Sequence, residues 1–384
     1  MNLNLFLEQK PLFYDVIDYA RFPKIYHSIA HHFKLPKIIH IVGTNGKGTT
    51  GRFLAHMLRE NHLHVGHYTS PHIVAFNERI WIDGAYVDDI LLEAYHQRLL
   101  LLLSFEDAKA LSYFEYTTLL AMLIFCDTCD YVVLEAGLGG EFDATNVFPK
   151  ILSLITPIGY DHQAFLGESI EAIATTKLNS VKNDFILAKQ YEPIVNTLAQ
   201  KKADEIHQSL IDVTLFLDKE KYLKVEHYAK DKDYPSFLRD NFLTAYSALT
   251  FLGYDINLNS ISFPLLEGRY QLFLPNVRLD VGHNPMAALA LREAIGDKKV
   301  VLVYNSYADK EYERILEILK PVIERLEIIE IQSTRALNPT ILHECASTLG
   351  LDVSFFKGIE ATKEYVVFGS FSVVEAFLKG QRER

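Results

Sequence analysis

An α/β fold organised in two domains is predicted from three observations. Apolar runs rich in β-branched residues alternate with helical patterns through most of the chain, which is how a parallel sheet covered by helices reads in sequence. The chain has 384 residues, too many for one ordinary domain and about right for two. A Pro-containing break near Phe263–Leu266 separates one alternation from the next. Together these predict a mostly parallel sheet domain over residues 1–263 and a smaller α/β domain over 264–384.

In the first domain the candidate strands are Ile38–Val42, His64–Tyr68, Tyr131–Leu134, Ile151–Ile155 and Phe185–Ala188, short apolar runs of strand length. Helical stretches lie between them near Gly48–Asn61, Asp88–Ser104, Tyr113–Thr128, Ser169–Val181 and Tyr191–Lys201. Beyond about residue 205 the pattern becomes shorter and more polar, includes the charged segment Lys219–Lys232, and resumes as a helix over Asn241–Leu252. The second domain opens with a strand at Val277–Leu279, a helix at Pro285–Ile295, a strand at Lys299–Tyr304 and a helix at Glu311–Glu324. Its alternation continues to Leu378, and no internal repeat is present.

With 49% hydrophobic and 23% charged residues the chain can bury a substantial core. A formal charge of −11 without a local basic cluster argues against a nucleic-acid surface. The N-terminus lacks a basic stretch followed by an apolar run, and the leucine run Leu99–Leu103, flanked by Arg98 and Glu106, is far too short to span a bilayer. The expectation is a cytoplasmic protein with no membrane partner, and a monomer, since no extended apolar face suggests a subunit. Cys126, Cys129 and Cys345 cannot form a disulfide framework. The Cys126/Cys129 pair lacks the second ligand pair of a zinc site and the context of a redox motif, so it reads as two buried or half-buried thiols.

The strand Ile38–Val42 runs directly into Gly43-Thr44-Asn45-Gly46-Lys47-Gly48-Thr49-Thr50 and a helix beginning near Gly48. Strand, glycine loop and helix make a phosphate cradle. Glycines let successive N–H groups turn inward, the helix N-terminus adds its positive end, and Lys47 supplies a point charge. Thr49 or Thr50 offers a hydroxyl to a phosphate or to Mg²⁺. The standard P-loop has Gly six residues before its lysine and Ser or Thr directly after it, whereas Ile41 and Gly48 stand there in this chain.

Other residues are placed by their position along the strands. Glu135 ends an apolar strand, where α/β sheets present ligand-binding groups, and a carboxylate there can hold a hard cation. His162 follows the next strand by a short loop, and Lys177 lies one helix further. Asp240 or Asn241 is a good N-cap for the helix that follows. Arg269 falls in the interdomain break, and Asp280 and His283 straddle a strand end before a helix with Pro285 in its first turn, a geometry expected to expose both side chains in a crevice.

The loop G-T-N-G-K-G-T resembles the variant phosphate loop of the Mur ligase superfamily, specifically of folylpolyglutamate synthases and dihydrofolate synthases. Further segments similar in order and spacing are Tyr68–His72, Phe76–Arg79, Leu134–Gly140, Asp143–Asn146, Asp161-His162, Leu166-Gly167, Glu267–Gln271 and Leu279–Pro285. The likeness is dense over residues 38–180 and 264–290. It implies a P-loop-type, ATP-binding domain followed by a Rossmann-like ligase domain. It also implies nucleotide binding by Gly43 to Thr50, with Asn241 reading the adenine edge, Arg269 clamping the terminal phosphate, and Asp280 and His283 approaching ATP from the second domain. Two Mg²⁺ ions are implied, held by Thr49, Ser70, Glu135, His162 and a carbamylated Lys177. The acceptor is implied to lie along Ser70, Pro71, His72, Phe76 and Arg79 and near Asp143 and Ala144. Two departures stand out: Leu178–Val181 replaces the small-residue run usual after the lysine, and Glu141 stands where relatives commonly carry a basic residue.

The reaction implied is amide formation between glutamate and a folate-type carboxylate, dihydropteroate or a tetrahydrofolate polyglutamate or both. A carboxylate repels an amine and has no leaving group; transfer of the γ-phosphoryl group of ATP cures both faults, and the glutamate amine then displaces phosphate from the acyl phosphate. Catalysis by positioning and charge falls to Lys47, Lys177 and Arg269, with His283 or His162 orienting oxygens. One rival is a cell-wall Mur ligase, whose nucleotide-sugar domain is not expected to fit in the 42 residues before Gly43. Another is an ATPase or kinase of the same fold that forms no amide.

Overall fold

The computed structural model describes residues 1–11 and 18–382. They gather into two compact units, Met1–Tyr228 with Asp240–Phe263, and Ala229–Arg239 with Pro264–Arg384. The short segment Ala229–Arg239 thus belongs with the second unit although it precedes the Pro-containing break.

The first unit is built on eight strands: β1 (Lys37–Val42), β2 (Val65–Tyr68), β3 (Ile80–Ile82), β4 (Ala85–Tyr86), β5 (Tyr131–Glu135), β6 (Leu152–Ile155), β7 (Phe185–Leu187) and β8 (Leu210–Asp212). They form one sheet in the order β4-β3-β2-β5-β1-β6-β7-β8. The run from β2 to β8 is parallel, and β3 and β4 add an antiparallel edge. β1 is buried along Ile38–Val42, as a strand covered on both faces must be.

The helix Tyr113–Thr128 is buried along Tyr116–Phe125 and so carries no polar stripe. Its start is fixed by a capping box in which the Ser112 hydroxyl accepts from Glu115 N at 3.1 Å and the Glu115 carboxylate accepts from Ser112 N at 2.7 Å. Arg21 grips the same carboxylate with one guanidinium nitrogen, 2.9 and 2.8 Å from its two oxygens. The helix Arg21–Ile29 is tied in this way to the main core.

The second unit has six strands: β9 (Gln271–Leu274), β10 (Val277–Asp280), β11 (Val300–Tyr304), β12 (Ile323–Ile328), β13 (Val353–Phe355) and β14 (Tyr365–Phe368). Their order is β13-β12-β11-β14-β10-β9, all parallel except β9.

Three readings need correction. The helix expected over Glu311–Glu324 covers only Tyr312–Leu319, because Pro321 closes it and Ile323 already starts β12. The charged segment Lys219–Lys232 is mostly a helix, Lys219–Asp231, with Val225, Tyr228 and Ala229 buried. The helix expected to open at Asp240 or Asn241 begins at Ser236, so neither residue is its N-cap. Among the described residues no helix is long and apolar enough to cross a membrane.

Candidate active site

Four adjacent parallel strands, β2, β5, β1 and β6, end at one edge of the first sheet. Each hands over to a loop that carries candidate residues: Thr69 and Ser70 after β2, residues 136–145 after β5, Gly43–Gly46 after β1, and Thr156–His162 after β6. Such an edge is where open α/β sheets bind ligands.

The loop after β1 is held from below by the loop after β6. Thr44 and Asn45 N–H groups donate to the Pro157 carbonyl at 2.9 and 3.2 Å. The Thr44 hydroxyl donates to Gly159 O and accepts from Gly159 N, both at 3.0 Å. A Cβ on Gly43 would lie 1.9 Å from Thr156 Oγ1, so only glycine fits. Gly46 takes the left-handed conformation, φ 83°, just ahead of the helix Lys47–Glu60. A side chain there costs about 1–2 kcal/mol before its Cβ meets Asn241 Oδ1 at 2.4 Å. Gly46→Ala should therefore lower Tm by several degrees in thermal denaturation, at roughly 2–4 °C per kcal/mol for a domain of this size.

Lys47 Nζ donates to the Gly43 and Thr44 carbonyls, both at 3.2 Å, and lies 3.9 Å from Glu135 Oε1. Lys177 Nζ donates to the same Gly43 carbonyl at 2.9 Å, so both amines converge on one peptide. Contrary to the usual solvated helix lysine, Lys177 is buried. Burial, reinforced by the Lys47 charge, brings its pKa down to about 7. Glu135 is buried too, and its Oε2 accepts from the Thr69 hydroxyl and from Ser70 N at 3.3 Å. The Glu135 carboxylate and the Thr69 hydroxyl bonded to it are oxygen donors, the kind a hard divalent cation takes, so these residues fit Mg²⁺. Thr49 and Thr50 are buried in the first helical turn, and Thr50 Oγ1 donates to Asn241 Oδ1 at 3.4 Å. Asn241 thus faces the phosphate loop from the second turn of its own helix.

The remaining first-unit candidates form separate groups. Arg79 Nε donates to His72 Nδ1 at 2.8 Å while its guanidinium lies 5.3 Å from the Tyr113 ring. Burial first, then the Arg79 charge, brings the His72 pKa down to about 4. Phe76 meets the rings of His72 and Tyr113 edge-on, and Pro71 precedes this cluster. Asp143 is buried under four donated hydrogen bonds, with Ala144 buried beside it. His162 adopts left-handed backbone, φ 54°, with its N–H on Asp161 Oδ1 at 2.8 Å and its Nε2 3.8 Å from that carboxylate.

In the second unit, the Asp280 carboxylate accepts from Gly282 N at 2.8 Å and Tyr270 N at 2.9 Å. Those bonds staple the strand end and leave Asp280 half-buried. His283 Nδ1 lies 3.1 Å from the Val281 carbonyl. The Arg269 guanidinium lies 4.8 Å from the Phe371 ring, with Nη1 3.4 Å from the Glu267 and Gly268 carbonyls.

The chain is similar to known proteins over most of its length. The dihydrofolate synthase/folylpolyglutamate synthase of Buchnera aphidicola from Schizaphis graminum is 31% identical over 369 residues, covering 88% of this chain and 86% of the relative. The chain belongs to this family. A crystal structure of Helicobacter pylori folylpolyglutamate synthetase shares 42% identity and superposes with a TM-score of 0.80, covering 100% of this chain and 98% of the other. A bifunctional folylpolyglutamate synthase/dihydrofolate synthase from Yersinia pestis, complexed with AMPPNP and a Mn ion, shares the fold, with a TM-score of 0.82 at 23% identity over 99% and 97% of the two chains. No family model matches the sequence.

Reading by sequence missed Thr69, whose hydroxyl binds Glu135 more directly than Ser70 does. It lies inside the quoted segment Tyr68–His72, one residue past β2, where a strand-end side chain could have been expected to face the neighbouring strand's end. It also missed Lys150, whose Nζ is enclosed by Asn146 and the Ser180 carbonyl.

The buried lysines give this unit a definite pH response. Burial brings Lys177 and Lys150 down to about 7 and Lys10 to about 8. Above those values the folded chain has released protons that the unfolded chain still holds, so stability rises with pH. Cys126 and Cys129, pushed up to about 12 by burial, act in the opposite sense above about pH 9, where unfolded thiols ionise. Thermal denaturation at constant ionic strength should show Tm climbing from pH 7 to pH 9. A flat or falling Tm over that range contradicts the assignment of these amines as buried.

Proposed function

We propose that this protein is an ATP-dependent ligase that joins glutamate by an amide bond to a folate-type carboxylate, through an acyl phosphate. The observation that carries the reading is the convergence of Lys47, Lys177 and Glu135 on the phosphate loop at the edge formed by β5 and β1.

ATP would lie along Gly43–Thr50, its phosphates drawn by the loop N–H groups, the helix N-terminus and Lys47. Mg²⁺ would be held by Glu135 with Ser70, Thr49 and His162, and supplies charge neutralisation to the phosphates when bound. Negative charge builds on the transferring phosphoryl oxygens, and Lys47, whose Nζ rests on the Gly43 and Thr44 carbonyls, would supply the charge that answers it. Nucleotide binding is also proposed for Asn241 and for Arg269, Asp280 and His283 of the second unit. Ser70, Pro71, His72, Phe76, Arg79, Asp143 and Ala144 are assigned to the acceptor acid.

Lys177 is proposed to be carbamylated, giving an anion for a second Mg²⁺. Its lowered pKa supports this, because CO₂ combines with the neutral amine. We further propose a monomer working in the cytoplasm, without nucleic-acid or membrane partners.

The test is product analysis with ATP, glutamate and either dihydropteroate or tetrahydrofolate. One ADP and one phosphate should be released per amide formed, and none without an acceptor. ADP release that needs neither acid nor glutamate overturns the reading. Intact mass under CO₂, with and without Lys177→Met, tests the carbamate.

A further inference from the structure

We propose that His40, in the middle of β1, is a positioning residue that fixes the acceptor-binding loop 137–145 through Thr145 and Asp143. The role rests on the ligase reading, while the hydrogen-bond relay beneath it stands on geometry alone.

Asp143 is the hub of the loop. Its Oδ2 accepts from Gly137 N at 3.0 Å and Leu138 N at 2.8 Å, and its Oδ1 accepts from Thr145 N at 2.9 Å and Thr145 Oγ1 at 2.5 Å. A threonine hydroxyl has one proton to give, and here it goes to Asp143. At its 2.8 Å contact with His40 Nε2 the same hydroxyl must therefore accept. It follows that His40 carries its proton on Nε2. Nδ1 is then bare, and it has no hydrogen-bond partner among the described residues. Burial, helped by the Lys150 charge, holds the imidazole neutral.

His40 is fully buried between Ile39 and Ile41 in the central strand. An apolar side chain would satisfy that position better, since a polar ring with one unmatched nitrogen loses hydration there. What the ring supplies is a donor that sets Thr145, which in turn sets Asp143. The loop then takes its shape from both ends: Gly137 and Leu138 where it leaves β5, and Thr145 where it passes over β1. Without the donor the Thr145 hydroxyl loses the contact that holds it against Asp143 Oδ1, and the Thr145 end of the loop is left with its backbone N–H bond to Asp143.

Steady-state kinetics on the full chain test the role with His40→Phe, His40→Gln and Thr145→Val. His40→Phe and Thr145→Val should each raise KM for the acceptor acid by about tenfold, the worth of one buried hydrogen bond, with KM for ATP unchanged. His40→Gln, whose amide nitrogen can replace Nε2 as donor, should recover most of that loss. Unchanged acceptor KM in His40→Phe and Thr145→Val, an equal rise in both KM values, or no recovery with glutamine overturns the role. If the phenylalanine variant does not fold, ring ¹⁵N shifts of His40 in the native protein still decide, because a proton on Nδ1 breaks the relay. A native protein that forms no amide with any folate acid overturns the ligase reading and the role with it, without touching the nitrogen spectrum.

Discussion

Lys47→Met should lower kcat for amide formation by about 10²–10³-fold, the usual loss when one preorganised donor to a developing negative charge is removed. The expectation comes from placement. Lys47 Nζ hangs over the phosphate loop on the Gly43 and Thr44 carbonyls, 3.9 Å from Glu135. Methionine keeps most of the stem and its packing, so thermal stability should change little while turnover collapses. Rapid-quench measurement of acyl phosphate would locate the loss at phosphoryl transfer. A variant that retains native kcat would remove Lys47 from the chemistry.

Glu135→Gln should have the second largest effect. The amide keeps an oxygen to accept from the Thr69 hydroxyl and Ser70 N, so the local bonding survives. What disappears is the negative charge that a divalent ion needs. Turnover should require at least about tenfold more Mg²⁺ and remain depressed at saturation. Titrating Mg²⁺ against initial rate measures this directly, and a coincident titration curve for parent and variant would refute it.

Much of the first sheet was legible because its strands are buried on both faces. β1, β5, β6 and β7 appear as short, mostly apolar runs, interrupted only by His40 in β1 and Ser153 in β6 apart from the charged residues at the ends of β1 and β5, and the glycine loop after β1 announces itself by composition. β3 and β4 are only three and two residues long, and they carry no periodicity to detect. The helix Lys219–Asp231 escaped for a different reason: its charged face dominates the count, and only Val225, Tyr228 and Ala229 mark the buried side. In the site, Lys47 and Glu135 could be placed from strand ends. The burial of Lys177 could not, since it depends on a carbonyl 134 positions earlier in the chain. Thr69 was hidden because its value lies in the partner on β5, which no local pattern encodes.

β1 has four strands on one side of it and three on the other. Strands so placed are usually the last to open, and their amides exchange with solvent only when the whole unit unfolds. The Ile39–Ile41 N–H groups should accordingly be among the slowest in the chain to take up deuterium. The loop Gly43–Gly46 hung on that strand would then keep its shape through fraying of the outer strands, so that partial denaturation should loosen the edge strands β3 and β4 before it reaches the proposed phosphate-binding loop.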